Sequence, residues 1–113
     1  NGLAILFTTD GVDQLSVNPN QKAVPDRIEL FTNYPNPFNP TTMIEFKIDK
    51  PMNVTLIVTD IMGREIDKLC DNIFLNPGIY SYPFEGSSLA TGIYFYTLKS
   101  ANQTLTNKML FIK

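Results

Sequence analysis

Alternation of apolar and polar residues with a period of two is the feature that most restricts the fold of this chain. Residues 42–48 place Ile44 and Phe46 on one face and Glu45 and Lys47 on the other, as in a strand that is buried on one side. No window of about eleven or more residues has apolar residues at helical spacing without an interrupting Pro or Gly. The chain is therefore predicted to be all-β.

Strand patterns recur along the chain and are separated by turn residues such as Gly, Pro and Asn. Because residues 93–98 are apolar on both faces, we expect them to form a central strand that is covered on both sides. The 113 residues suffice for one ordinary domain, and the pattern predicts an antiparallel immunoglobulin-like β-sandwich. The predicted strands are residues 42–48, 54–59, 65–69, 79–84, 93–98 and 104–112.

The N-terminal part of the chain has a different composition. Residues 18–26 are polar, contain Pro at both ends and show no periodicity, which is typical of a linker. A strand-like apolar segment precedes this linker. We therefore predict an extended N-terminal β-arm and linker at residues 1–27 and a sandwich at residues 28–113. The apolar residues of the arm are Leu3, Ala4, Ile5, Leu6 and Phe7.

The composition excludes most catalytic chemistry. The chain has no His, and Cys70 is its single Cys. A Ser–His or Cys–His nucleophile and a His-ligated metal therefore cannot be built within the chain. Cys70 is expected to be a small buried hydrophobe. We predict that the chain is not an enzyme and uses no metal or cofactor.

Charge and hydropathy also exclude two classes of partner. The net charge is −2 and the charged residues are spread without runs, so no positive surface is expected that could hold a nucleic acid. The longest apolar stretch is residues 3–7, far shorter than the roughly 20 residues of a membrane-spanning helix. No transmembrane helix is predicted.

Four short motifs follow one another towards the end of the sequence: a Pro-rich segment at 34–42, an Asp-x-x-Gly-Arg turn at 60–66, a Leu-Ala-x-Gly-x-Tyr strand at 89–98 and a Lys-to-Lys strand at 108–113. In this order they resemble the motifs of the C-terminal sorting domains of type IX (Por) secretion system cargo. The residues that carry the resemblance are Pro35, Asn36, Pro37, Asn39, Pro40, Asp60, Gly63, Arg64, Gly92, Tyr94, Lys108 and Lys113.

The resemblance implies a function in export. Such a domain is not catalytic, and it directs a protein across the outer membrane after a signal peptide has brought that protein to the periplasm. The implied partner is the secretion machinery of the outer membrane, and the implied location is the cell surface or the extracellular space.

The opening motif also has a physical interpretation that does not depend on the family. Pro35, Pro37 and Pro40 fix φ and favour extended residues before them, which predicts a stiff, polyproline-like entrance to the first strand. Tyr34 and Phe38 would be its apolar anchors.

The other motifs leave two interpretations open. Gly63 suits a turn that needs positive φ, and Arg64 is either a solvated base or a receptor contact. Lys108 and Lys113 flank an apolar strand, where they either keep a sheet edge soluble or are recognised by export machinery.

Two further functions compete with sorting. In the first, the arm adds as a strand to the sheet edge of an identical subunit, as in donor-strand complementation, and builds an extracellular filament; it could also fold back on its own domain. In the second, the chain is a carbohydrate-binding module with an aromatic platform, although cross-strand packing explains the same residues. The platform residues would be Tyr80, Tyr82, Tyr94 and Tyr96.

Overall fold

Two antiparallel sheets make up the part of the chain that the structure, a computed structural model, describes, which is residues 27–113. Their strands are β1 (Ile28–Leu30), β2 (Thr41–Ile48), β3 (Met52–Asp60), β4 (Glu65–Leu75), β5 (Gly78–Glu85), β6 (Gly92–Lys99) and β7 (Thr104–Phe111). The strand order is β1-β2-β5 in one sheet and β4-β3-β6-β7 in the other. The predicted all-β, antiparallel, immunoglobulin-like sandwich is confirmed.

The predicted strands are all present, but two details differ from the prediction. β1 has only three residues, too few for a period of two to be recognised. β4 continues to Leu75 instead of ending at residue 69. Asn72 has a positive φ of 51° and lies where the register between β3 and β4 shifts. Asn72 therefore lies in a β-bulge within the strand.

β6 is central within its sheet, as predicted, because it pairs with both β3 and β7. The expectation that both of its faces are covered is wrong. Tyr96 and Leu98 are completely buried, whereas Ile93 is 43% exposed on the opposite face. Among the described residues, only the inner face of this sheet packs against the second sheet, so apolar residues on its outer face stay partly exposed.

The core lies between the inner faces of the two sheets. Phe46 of β2 stacks on the rings of Tyr80 and Tyr82 of β5, with centroid distances of 5.6 and 5.9 Å. Cys70 is buried, as expected, and burial raises the pKa of its thiol. A hydrogen bond to Cys70, together with burial, raises the pKa of Tyr82 to about 12. The contact between Tyr82 and Cys70 thus links β5 of one sheet to β4 of the other.

The two ends of the sandwich differ in what they carry. The chain enters β1 at Ile28, which pairs with Ile48 and donates its backbone N–H to Gln103 Oε1 at 3.1 Å. We call this the entry end; it also carries the β2–β3, β4–β5 and β6–β7 connections. The opposite end, which we call the motif end, comprises residues 34–42, 60–65, 85–92 and 110–113.

Residues 1–26 lie outside the described part of the chain. The predicted arm at residues 3–7 is among them, so its pairing and the division of the chain at residue 28 stay predictions. Nowhere in residues 27–113 is there a helix long and apolar enough to cross a membrane.

Candidate functional site

The four motifs, which are far apart in the sequence, meet at the motif end of the sandwich. Asp60, the last residue of β3, pairs with Tyr94 of β6. Gly92, the first residue of β6, pairs with Phe111 of β7. Phe38 of the Pro-rich segment forms a parallel bridge with the same Phe111. Strand order therefore brings together residues that the sequence presents as four separate signals.

The Pro-rich segment lies along the outer edge of β7. The backbone N–H of Phe38 donates to Leu110 O at 3.0 Å, and Ile112 N–H donates to Phe38 O at 3.1 Å. The side-chain oxygen of Asn36 accepts the N–H of Leu110 at 3.1 Å. These bonds make the segment a short parallel extension of the four-stranded sheet.

The prediction of a polyproline-like entrance is therefore wrong, because a polyproline segment has no such backbone pairing. The peptide bonds before Pro35, Pro37 and Pro40 are all cis. The carbonyl of Pro40 accepts the N–H of Gly86 at 2.8 Å. The segment is thus bonded to the β5–β6 connection as well as to β7.

Of the two predicted anchors in this segment, only Phe38 is one. Its ring is 1% exposed and meets the rings of Phe84 at 6.0 Å and Phe111 at 5.0 Å. A Cβ on Gly86 would lie 3.2 Å from the Phe38 ring, so the absence of a side chain there permits the close approach. Tyr34 is 80% exposed, and its expected anchoring role is wrong because its bridge to Met43 holds it on the outer surface.

A buried polar network fastens the segment before the Pro-rich motif to the four-stranded sheet. The Tyr96 hydroxyl donates to Phe31 O at 2.7 Å and accepts the backbone N–H of Asn33 at 2.9 Å. The carboxamide of Asn33 donates to Thr42 Oγ1 at 3.0 Å, and that of Asn107 donates to the Tyr96 hydroxyl at 3.3 Å. Burial raises the pKa of Tyr96.

Asn33, Thr42 and Asn107 belong to the site, although the sequence motifs did not single them out. One signal was available for Asn107, which occupies an inward position of β7 between the apolar residues Leu105 and Met109. A polar residue at such a position needs a buried partner.

The Asp60 turn is held together by hydrogen bonds to the Asp60 carboxylate. Asp60 Oδ1 accepts the N–H groups of Met62 at 2.9 Å and Arg64 at 3.0 Å, and Oδ2 accepts Arg64 Nε at 2.8 Å. Gly63 has φ of +84°, which confirms it as the turn glycine. The turn displays the side chain of Arg64, which is 77% exposed, together with Ile61 at 69% and Met62 at 75%. Two large apolar residues at a turn tip are a signal that sequence analysis did not use.

These contacts make the stability of the turn dependent on pH. Burial of the Asp60 carboxyl opposes its ionisation, but hydrogen bonds from Arg64 and Met62 and the guanidinium charge hold the pKa of Asp60 below its ordinary value of 3.8. Ionised Asp60 therefore contributes stability that is fully present above pH 3.8 and is lost as the pH falls through the lower folded-state pKa. We expect the wild type to have a larger free energy of unfolding than Asp60→Asn above pH 3.8, and the difference to shrink as the pH falls below that value. Urea unfolding of both at a series of pH values checks this, and parallel curves would contradict it.

Of the remaining motif residues, some are buried and others are exposed. Tyr94 is buried and donates its hydroxyl proton to Ala90 O at 2.7 Å. Gly92 has no positive φ, and a Cβ added to it would meet no atom within 4 Å, so the fold itself does not require glycine there. Lys108 and Lys113 are exposed, and the backbone N–H of Lys113 donates to Thr91 Oγ1 at 2.9 Å.

The tyrosine platform of the carbohydrate-binding alternative does not exist. Tyr94 is 7% exposed and Tyr96 is fully buried, while Tyr80 and Tyr82 stack on Phe46 inside the sandwich. All four belong to inward positions of their strands, so cross-strand packing is the correct interpretation. Within residues 27–113, no group of three or more acidic, Cys or His side chains is placed to hold a metal ion.

Comparison with known proteins agrees with the four motifs. The family model described as "Secretion system C-terminal sorting domain" matches residues 32–113. The chain belongs to this family of sorting domains, as the motifs indicated.

Among solved structures, the chain is similar to dimeric latent PorU from Porphyromonas gingivalis, with a TM-score of 0.58 and 16% sequence identity. The match covers 94% of this chain and 10% of the PorU chain, so the chain corresponds to about a tenth of that protein. At this identity the likeness concerns the fold. No curated protein matches the chain.

Proposed function

We propose that the sandwich is a type IX sorting signal and that the outer-membrane secretion machinery recognises its motif end. The observation that carries this proposal is the convergence of all four motifs at one end of the fold, opposite the point where the chain enters. Any polypeptide that precedes Ile28 joins the domain at the entry end. Attachment of a cargo therefore does not use the motif end.

The motif residues divide into those that build this end and those that it displays. Phe38 and Phe111 are each 1% exposed and support the surface from below. Arg64, Ile61 and Met62 project from it. Arg is among the residues that most often dominate recognition energies, and Met is enriched at protein interfaces. Since Asp60 already holds the Arg64 side chain at its Nε, less conformational freedom is lost when a receptor binds.

The proposed role is non-enzymatic. The domain would pass through the periplasm and be recognised at the outer membrane, and its cargo would reach the cell surface or the extracellular space. Membership of the sorting-domain family supports export to those locations. No observation within residues 27–113 favours the filament alternative, whose arm at residues 3–7 lies outside them.

The recognition surface is tested by removing an exposed motif side chain without disturbing the fold. In a bacterium with a type IX system, the full chain is fused to the C-terminus of a secreted reporter. We expect Arg64→Ala to reduce surface display of the reporter at least about tenfold, because an Arg hot spot is worth about 2 kcal/mol or more. The free energy of unfolding should fall by no more than about 1 kcal/mol, because Asp60 Oδ1 keeps the backbone N–H groups of Met62 and Arg64 and the lost ion pair involves an Arg64 side chain that is 77% exposed.

Lys47→Ala is the matched control, because Lys47 is also an exposed base but lies on β2 near the entry end. Its export should equal that of the wild type. Undiminished display of both Arg64→Ala and the double variant Ile61→Ser, Met62→Ser would refute recognition through this turn. Truncation of residues 108–113 is a poorer test, because it also removes Met109 and Phe111 from the core.

A further inference from the structure

A groove of about 520 Å³ lies at the entry end, on the outer face of the four-stranded sheet. Its floor is formed by Asn53 of β3, which pairs in register with Phe74 of β4. Lys99 at the end of β6 and the β6–β7 turn form one wall. The volume falls within the range of roughly 300–1,000 Å³ that is typical of small-molecule sites.

The bulge in β4 places a polar side chain in this groove. Asn72 adopts φ of 51°, a left-handed conformation that is uncommon for residues other than Gly but is tolerated by Asn. Its backbone N–H donates to Thr55 Oγ1 at 3.0 Å, which fixes the bulge against β3. Bulges of this kind redirect a side chain and are frequent next to binding sites.

The opposite wall carries a second amide. The β6–β7 turn is closed by Ser100 N–H, which donates to Gln103 O at 2.8 Å, and Asn102 N–H contacts Ser100 Oγ at 3.4 Å. Asn102 therefore uses its backbone N–H in the turn, and the residue lines the groove. Phe74 contributes an aromatic ring that is 62% exposed.

We propose that this groove binds a neutral saccharide. A carboxamide both donates and accepts hydrogen bonds, which matches the adjacent hydroxyl groups of a sugar. Three of them, on Asn53, Asn72 and Asn102, surround one groove. The exposed ring of Phe74 offers an apolar face with a polarised π system on which the C–H face of a sugar ring can pack.

Other ligand classes fit the groove less well. Nucleic acid requires several cations, whereas Lys99 is the one charged residue among the groove residues. A peptide added as a strand requires an unpaired strand edge. β3, on the groove floor, is paired on both sides by β4 and β6, so within the described sheet a strand could add at the outer edge of β4 but not on the floor of the groove. The groove is separate from the tyrosine positions inside the sandwich and from the motif end.

To test this, the isotope-labelled full chain is titrated with sugars while the NMR shifts of its backbone amides are monitored. The probes are glucose, galactose, mannose and N-acetylglucosamine and their disaccharides at millimolar concentration. At least one probe should produce saturable shifts confined to Asn53, Asn72, Phe74 and residues 99–102. Phe74→Ala should weaken that binding about tenfold, as expected for the loss of one aromatic contact, while Phe74→Tyr should retain it.

Two further variants separate binding from folding. Asn72→Gly removes the carboxamide but suits the positive φ of 51°, so it should fold like the wild type and bind the sugar more weakly. Tyr34→Ala, which removes an aromatic ring that is 80% exposed at the motif end, should bind like the wild type. Absence of saturable shifts with every sugar overturns the proposal. If Phe74→Ala and Asn72→Gly both bind the sugar with the affinity of the wild type, the proposal is overturned as well. The same holds if only an extended peptide probe binds.

Discussion

Phe38→Ala is expected to lower the free energy of unfolding by about 3–5 kcal/mol, the usual cost of truncating a buried Phe. Phe38 is 1% exposed, and its ring contacts those of Phe84 and Phe111. Removing it leaves a cavity between the end of β5 and the end of β7. Since small domains are stable by only about 5–15 kcal/mol, this is a large fraction of the total. Urea unfolding of the full chain, followed by tyrosine fluorescence, measures the loss.

Phe74→Ala is the matched control, because it makes the same chemical change at a ring that is 62% exposed. Its stability should stay within about 0.5–1 kcal/mol of the wild type. A Phe38→Ala variant as stable as Phe74→Ala would show that the aromatic cluster does not support the motif end. The same variant should also fail in the export assay, since the surface that carries Leu110 and Asn36 rests on this ring.

Tyr96→Phe is expected to cost about 2–3 kcal/mol, although it removes a single oxygen atom. The hydroxyl donates to Phe31 O at 2.7 Å and accepts the N–H of Asn33 at 2.9 Å. The Tyr96 side chain is fully buried. Its loss leaves the buried N–H of Asn33 without its partner and Phe31 O with only the long bond from Asn107 at 3.4 Å, and an unsatisfied buried group costs about 1–3 kcal/mol. The midpoint and slope of urea unfolding measure the effect.

Tyr80→Phe provides the comparison, because its hydroxyl donates to Asn76 O in an exposed bond of 2.7 Å. Water can replace that bond, so the cost should be below about 1 kcal/mol. Similar losses for both variants would contradict the assigned role of the buried network. Amide hydrogen exchange adds a local measurement, because Tyr96→Phe should deprotect Asn33 first.

Much of the fold could be predicted from the sequence because its strands are long and buried on one face. In β2, burial follows every second residue without exception, so the period alone identifies strand and core face. The end of β4 was missed because the bulge at Asn72 interrupts that period. The outer face of β6 was misjudged because apolar residues such as Ile93 stand on a face that no described element covers.

The candidate site could be predicted only in pieces. The motifs around Asp60 and Gly92 are local in sequence, and the turn glycine Gly63 follows from backbone sterics. That these motifs are neighbours depends on β6 lying between β3 and β7, which no local pattern encodes. The difference between Phe38 and Tyr34 is of the same kind, because both are aromatic residues before or between prolines and only the fold decides which faces the core.

The pairing of the first motif with the last has a consequence for quality control during synthesis. The Pro-rich segment obtains its backbone partners from Leu110 and Ile112, and its aromatic neighbour from Phe111. If translation stops before Leu110, the released polypeptide contains the Pro-rich motif but lacks the strand residues with which that motif pairs. Assembly of the motif end therefore requires that translation has passed residue 112, so the first motif reports on the synthesis of β7.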